Sequence, residues 1–341
     1  MIRSDLHYAL KAGRPLLIDP IKVNTFLKNA EMLLGNPEIA YHLSAYAAQK
    51  SYVPKKEVGP KAKRFVKNAA PVSDEDEELD PLAAASMYAT ASQPYVRDGI
   101  GIIPVNGVIG KCLSPLEAML GCADIEKIGE KLDEWAKDDT VFEVLLKVDS
   151  GGGSTTGLEE LAKKIRTYDK PTIAFTDSDC GSAAFWMASQ CKRFACTPSA
   201  SVGACGVYIT MTDERKRFEK EGKEVVVIKS GKYKAAGVEG TSLTPDQINA
   251  LQDEVDELHQ RFIRDVRSVR QFASLDDLQG QSFYGDKAAA RGLTTGIVDS
   301  FEALIEDIKS TRRQAHRQML PSMYAPPMNP TSYDSPNSFI G

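Results

Sequence analysis

Hydrophobic and polar positions change their rhythm twice along the chain. Over Ile21–Leu34 apolar residues recur every three to four positions (Val23, Phe26, Leu27, Met32, Leu33), which predicts a helical N-terminal extension over residues 1–53. From Val96 onward, short apolar runs bounded by glycines alternate with amphipathic stretches. The runs 99–110 (GIGIIPVNGVIG) and 142–148 (FEVLLKV) are nearly continuous, as strands buried on both faces require. The second ends at Asp149-Ser150-Gly151-Gly152-Gly153, and a helical pattern follows through Leu158, Leu161 and Ile165. Thr172–Thr176 predicts a further strand before Gly181 and an apolar helix over Ser182–Gln190. Short strands are expected at Arg193–Cys196, Gly206–Met211 and Glu224–Ile228, with a polar helix Thr212–Gly222 between the last two. Thr244-Pro245-Asp246-Gln247 reads as a capping box with proline at the first helical position. Ile248, Leu251, Val255, Leu258, Phe262 and Val266 then form one stripe, which core packing explains. Strands alternating with helices predict an α/β fold with parallel pairing through right-handed crossovers.

Charge marks the borders of this region. Residues 54–68 are basic and 73–80 acidic, so 54–94 is expected to be a charged, solvated linker. Residues 313–341 are rich in Pro, Ser and Asn, which predicts a flexible tail. Hydrophobic residues make up 42% and charged residues 26%, ordinary values for a soluble globular protein. A net charge of −5 gives no electrostatic footprint for nucleic acid. No apolar run approaches the roughly 18 residues a membrane span needs, and the N-terminus lacks a signal-peptide pattern, so a cytoplasmic protein without membrane contact is expected. Six cysteines show no C-x-x-C pairing and read as reduced, buried thiols. No metal or cofactor is expected.

Candidate chemistry centres on Cys180-Gly181-Ser182-Ala183-Ala184. A serine after a glycine at a strand-to-helix turn can present its hydroxyl at a helix N-terminus; it can equally be an ordinary N-cap. A serine nucleophile needs a base. The four histidines, His7, His42, His259 and His316, lie outside the glycine-rich loops of the α/β region, which leaves a Ser-His-Asp triad poorly supported. Lysine can replace histidine when desolvation lowers its pKa. Lys234, in Ser230-Gly231-Lys232-Tyr233-Lys234-Ala235-Ala236-Gly237, is the candidate; a solvated surface charge is the bland alternative. Gly151-Gly152-Gly153 could offer backbone N–H groups to an oxyanion, cradle a phosphate, or make a tight turn. Cys180 and Cys205 lie close by in sequence, but Cys180 has no evident basic partner.

Six blocks between Tyr95 and Ser300 occur in a distinctive order: GIGIIPVNGVIG, VDSGGGSTTG, CGSAAFWMAS, PSASVGACGVYI, IKSGKYKAAG and FYGDKAAARGLTTGIVD. Together they resemble the signal peptide peptidase family and its phage relatives, the head-maturation proteases. The resemblance implies a Clp/crotonase-like fold with repeated ββα units over residues 95–312. It implies a serine endopeptidase with Ser182 as nucleophile and Lys234 as general base, and an oxyanion hole made by the Gly152 and Ala183 N–H groups. Two positions depart from the family pattern. Gly151 replaces a proline, which loosens the glycine loop. Ala204 replaces a serine that holds the lysine, leaving Ser201 or a water for that task. The resemblance further implies protein substrates (scaffold, capsid or portal proteins, and the chain itself), a homo-oligomer, and action in the host cytoplasm or a procapsid. A cytosolic peptide hydrolase of the same family, a catalytically silent scaffold-binding protein of the same fold, and an acyl-CoA-processing crotonase relative are the rival readings.

Overall fold

A computed structural model describes residues 16–18, 93–113, 117–118, 121–271 and 274–323. The helix expected over 21–34 and the linker expected over 54–94 lie outside these residues, apart from 93–94. The chain divides into two units, residues 1–299 and 300–341.

The first unit is organised around one long strand. Strands β1 (Leu16–Ile18), β2 (Tyr95–Arg97), β3 (Ile100–Gly110) and β4 (Ala123–Asp124) precede helix α1 (Ile125–Ala136), and β5 (Glu143–Ser154) follows it. Next come α2 (Leu158–Arg166), β6 (Thr172–Thr176), β7 (Asp179–Gly181) and α3 (Ala183–Ser189). The unit continues through β8 (Arg193–Cys196), β9 (Ser201–Gly203), α4 (Arg215–Lys220), α5 (Pro245–Val269), β10 (Ser282–Tyr284), α6 (Gly285–Ala290) and β11 (Gly296–Ile297). One edge of β5 pairs in parallel with β3 along its whole length, with one irregularity near Asn106–Val108. Its other edge pairs with β6 over Val144–Lys147 and then curls away to meet β7 at Ser150. From there the sheet grows in two arms, β6-β8-β11 and β7-β9-β10. The sequential pair β6–β7 places one strand in each arm before α3 packs back, and β8–β9 repeat the step, which is the ββα repeat the sequence blocks imply. Apart from the antiparallel β1–β5, β2–β3 and β9–β10 pairings, the ladders are parallel, as strand–helix alternation predicts.

The core fills the space between strands and helices. Ile103, Val105, Val144, Leu146 and Val148 pack against Ile128, Leu132 and Trp135 of α1 and Leu161 and Ile165 of α2. Helix α3 is buried along its entire length, as its apolar sequence demands.

Five expectations are corrected. Leu16–Ile18 is a strand rather than part of a helical extension, because it finds an edge of β5 to pair with. Neither Gly206–Met211 nor Glu224–Ile228 forms a strand. An apolar run becomes a strand only against a neighbouring edge. None of the described strands pairs with 224–228, where Val226 and Ile228 are 75% and 97% exposed. The stripe on α5 enters the core through Phe262 and Val266, with Leu258 half-buried against it; Ile248 is exposed, because α3 and α2 meet only part of this long helix. In the second unit, α7 (Phe301–Met323) runs past the tail boundary expected at 313, through Arg, Gln and Ala residues that favour helix. No described helix is long and apolar enough to cross a membrane.

Candidate active site

Register brings the glycine loop and Ser182 together. Ser150 on β5 lies beside Cys180 on β7, and parallel strands advance in step, so Gly152 comes level with Ser182. On the far side Gly181 pairs with Gly203 of β9. A Cβ added to Gly181 would stand 3.4 Å from the Gly151 carbonyl oxygen and 3.5 Å from the Ala204 Cβ, so three chain segments converge there. Gly152 has φ +110, open only to glycine without strain. A Cβ at Gly153 would fall 1.9 Å from the Ile109 carbonyl oxygen, so β3 can approach only because no side chain is present.

Ser182 is not an ordinary N-cap. Its side chain makes no cap hydrogen bond, and its backbone sits at φ +56, ψ −118, outside the usual left-handed well. Such a backbone costs on the order of 1–3 kcal/mol and persists only where the surroundings impose it. Those surroundings are visible: the Ser182 N–H donates to the Gly203 carbonyl at 2.8 Å, and the Trp186 N–H donates to the Ser182 carbonyl at 2.8 Å. The residue is 2% exposed. Among the described residues its hydroxyl reaches only the Gly206 carbonyl, at 3.5 Å, long for an O–H···O bond. The turn thus fixes the backbone and leaves the hydroxyl loosely held.

Helix α3 is clamped from behind. Trp186 stacks on Phe262 at 4.6 Å between ring centroids, and its Nε1–H donates to the buried Asp265 carboxylate at 3.0 Å. Arg166 approaches the same carboxylate at 3.5 Å. At the other end of α3, the buried Arg270 guanidinium donates to the Ser189 carbonyl at 2.9 Å and to the Cys191 carbonyl. A cation at a helix C-terminus also complements the helix dipole. None of these supports carried a signal in sequence beyond the apolar stripe that placed Phe262.

The remaining candidates are placed as follows. The Gly152 N–H donates to the Ser150 hydroxyl at 3.1 Å, and that hydroxyl donates to the Gly107 carbonyl at 2.5 Å. The Ala183 N–H opens α3, where first-turn N–H groups have no partner inside the helix. Ser201 pairs with Asp179, three residues before Ser182, while Ala204 stands beside Gly181. Lys234 is exposed, and among the described residues its ammonium meets no hydrogen-bond or ion-pair partner; its carbonyl accepts from Gln247 at 3.4 Å. His259 is held by the Leu278 carbonyl at 2.9 Å, and His316 lies on α7 in the second unit. All six cysteines are free thiols. Burial pushes Cys180 and Cys205 well above the ordinary thiol range, so neither is an activated nucleophile. Sequence reasoning missed the carbonyls of Gly203 and Gly206 and the Ser150 hydroxyl, whose roles come from backbone geometry.

Capsid assembly protease C of Escherichia phage lambda is 29% identical over 213 residues, 61% of this chain and 48% of that protein. Head-tail preconnector protein GP5 of Enterobacteria phage P21 is 26% identical over 214 residues, 61% of this chain and 42% of that protein. The chain therefore spans about half the length of the curated relatives it matches. Among solved structures, an enoyl-CoA hydratase from Shewanella pealeana superposes with a TM-score of 0.39 at 11% identity, over 67% of this chain and 76% of that one. The model of peptidase family S49 matches residues 164–315, a stretch that holds both Ser182 and Lys234.

Proposed function

We propose that the chain is a serine endopeptidase that cleaves scaffold, capsid or portal proteins during phage head assembly, with Ser182 as nucleophile and Lys234 as general base. The observation that carries the reading is Ser182 itself: buried, held at positive φ, not capping its helix, and level with a glycine loop. Neutral Lys234 takes the hydroxyl proton as Ser182 Oγ attacks the scissile carbonyl. The Ala183 and Gly152 N–H groups hold the resulting oxyanion, each donor contributing on the order of 2.7–4 kcal/mol. The protonated lysine then gives its proton to the leaving amine, and water hydrolyses the acyl-enzyme.

Two rearrangements belong to this reading. The Gly152 N–H must leave the Ser150 hydroxyl, and Lys234 must move from solvent to the Ser182 hydroxyl. The segment 204–243 that carries Lys234 also exposes Val226 and Ile228, apolar surface that assembly into a homo-oligomer would cover.

The test is co-expression of wild type, Ser182→Ala and Lys234→Ala with the candidate scaffold and capsid proteins, followed by intact-mass analysis. Cleavage by the wild type alone is expected; cleavage by pure Ser182→Ala would refute the assignment. A silent scaffold-binding protein is the second reading, favoured by the exposed Lys234. It predicts a stable complex with scaffold and no cleavage by any of the three.

A further inference from the structure

Strand β1 lies beside the candidate site, and the proposed chemistry does not use it. Leu16–Ile18 runs antiparallel to β5, with Leu16 opposite Ser154, Leu17 opposite Gly153 and Ile18 opposite Gly152. The first edge of those same residues is already occupied, because Val108 and Ile109 of β3 pair with Gly152 and Gly153. A strand has two edges, so β1 lies along the second. That is the edge where Ser150, two residues earlier, meets Cys180 of β7, the strand that leads into Ser182. Three consecutive glycines from 151 to 153 leave this edge without side chains, so an incoming backbone can come close. An extended segment here lies level with Ser182, where a peptide must lie for the hydroxyl to reach its backbone.

We propose that this edge takes protein substrates as an added antiparallel strand, and that the chain's own Leu16–Ile18 fills it as a competing ligand. The inference rests on the reading of Ser182 as the active site. The occupant is short: Pro15 and Pro20 flank it, and neither has an N–H with which to extend the ladder. A ladder of three residue pairs is short, so a substrate strand at high concentration can displace it. The competition lowers apparent affinity by the fraction of time the edge is free.

The experiment uses the full chain in the Ser182→Ala background, so that no probe is hydrolysed. Leu17→Pro and Ile18→Pro are introduced together, because successive N–H groups of a strand point to opposite sides and one of the two must face β5. The probe is a fluorescein-labelled peptide of residues 13–20, Gly-Arg-Pro-Leu-Leu-Ile-Asp-Pro, followed by anisotropy. For an edge free about a tenth of the time, the double-proline chain should bind the probe about tenfold more tightly than its parent. Equal affinity, or no binding by either chain, would overturn the inference. Hydrogen exchange on the unsubstituted chain is the check that survives misfolding of the variant: Gly153 and Ser154 amides exchanging as fast as an exposed loop would also overturn it. Turnover by Ser182 and occupancy of the edge are read separately. An inactive wild type whose probe binding still responds to the prolines sinks only the catalytic reading, and an active wild type with no response sinks only this one.

Discussion

The clamp on α3 gives a quantitative test of how Ser182 is held. Trp186 is fully buried and its Nε1–H has one acceptor, the Asp265 carboxylate at 3.0 Å. Asp265→Ala would strand that donor, at about 1–3 kcal/mol for an unsatisfied buried group. Arg166 would lose less: it is partly exposed and still donates to Gln190 at 2.7 Å, so its share is that of a surface pair, about 0.2–1 kcal/mol. The expected destabilisation is therefore roughly 1–4 kcal/mol. Trp186→Phe keeps a ring against Phe262 and removes the same hydrogen bond, one to a charged group and worth about 1.5–3 kcal/mol. Because both substitutions remove one shared interaction, the double variant should be less destabilised than the sum by about 1–3 kcal/mol. Urea unfolding of the four proteins, followed by circular dichroism, measures this coupling. A coupling below about 0.5 kcal/mol would refute the clamp, since pairs that do not interact fall within that range. Where turnover is measurable, Asp265→Ala should lower kcat more than it raises KM, because it moves the helix that carries Ser182 and leaves the peptide edge of β5 in place.

Gly153→Ala should prevent native pairing of β3 with the glycine loop: the added methyl would meet the Ile109 carbonyl oxygen, carbon and nitrogen at 1.9–2.6 Å, all backbone atoms. Loss of the cooperative unfolding transition, or of all activity, is the expected result, and a wild-type midpoint would count against the register. Iodoacetamide at pH 8 should label Cys112 alone in the native chain, and all six thiols after unfolding; a second native adduct would contradict the burial of the other five. Burial raises Cys122 and Cys191 to about 12, from 9.0 in the unfolded chain. Their raised native pKa means that this stabilisation is complete below pH 9 and is lost as pH climbs from 9 to 12, so the urea midpoint should fall across that window. A flat profile over the same window would contradict it.

The long elements were legible because their signals are local. The nearly continuous apolar run before Asp149 reads as an interior strand and is one, and the box at Thr244 and Gln247 forms with both reciprocal bonds, at 3.3 and 2.9 Å. The strand-to-helix turn at Ser182 was legible for the same reason. Its geometry was not: φ +56 follows from Gly203 and Gly206, carbonyls some twenty residues away that side-chain patterns do not record. Three-residue strands such as β7 and β9 exist through their neighbours, and Leu16–Ile18 is a strand only because β5 has a vacant edge beside it. Glu224–Ile228 fails in the opposite sense, with strong strand propensity and no described edge to meet.

On the proposed reading, three separate observations describe a site at rest. The Gly152 N–H is held by Ser150, Lys234 stands in solvent, and β1 covers the edge along which a substrate would lie. The first and third are coupled through one short stretch of backbone, since Gly152 both donates to Ser150 and faces Ile18. An entering substrate strand would displace β1 beside the loop on which the proposed oxyanion donor sits. Lys234 is independent of that stretch, on a segment whose exposed Val226 and Ile228 are stabilised only by burial against something else. The two conditions answer to different events, substrate capture for the loop and assembly for the lysine. A peptidase that must not cut its substrates before the head has formed is protected when both are required.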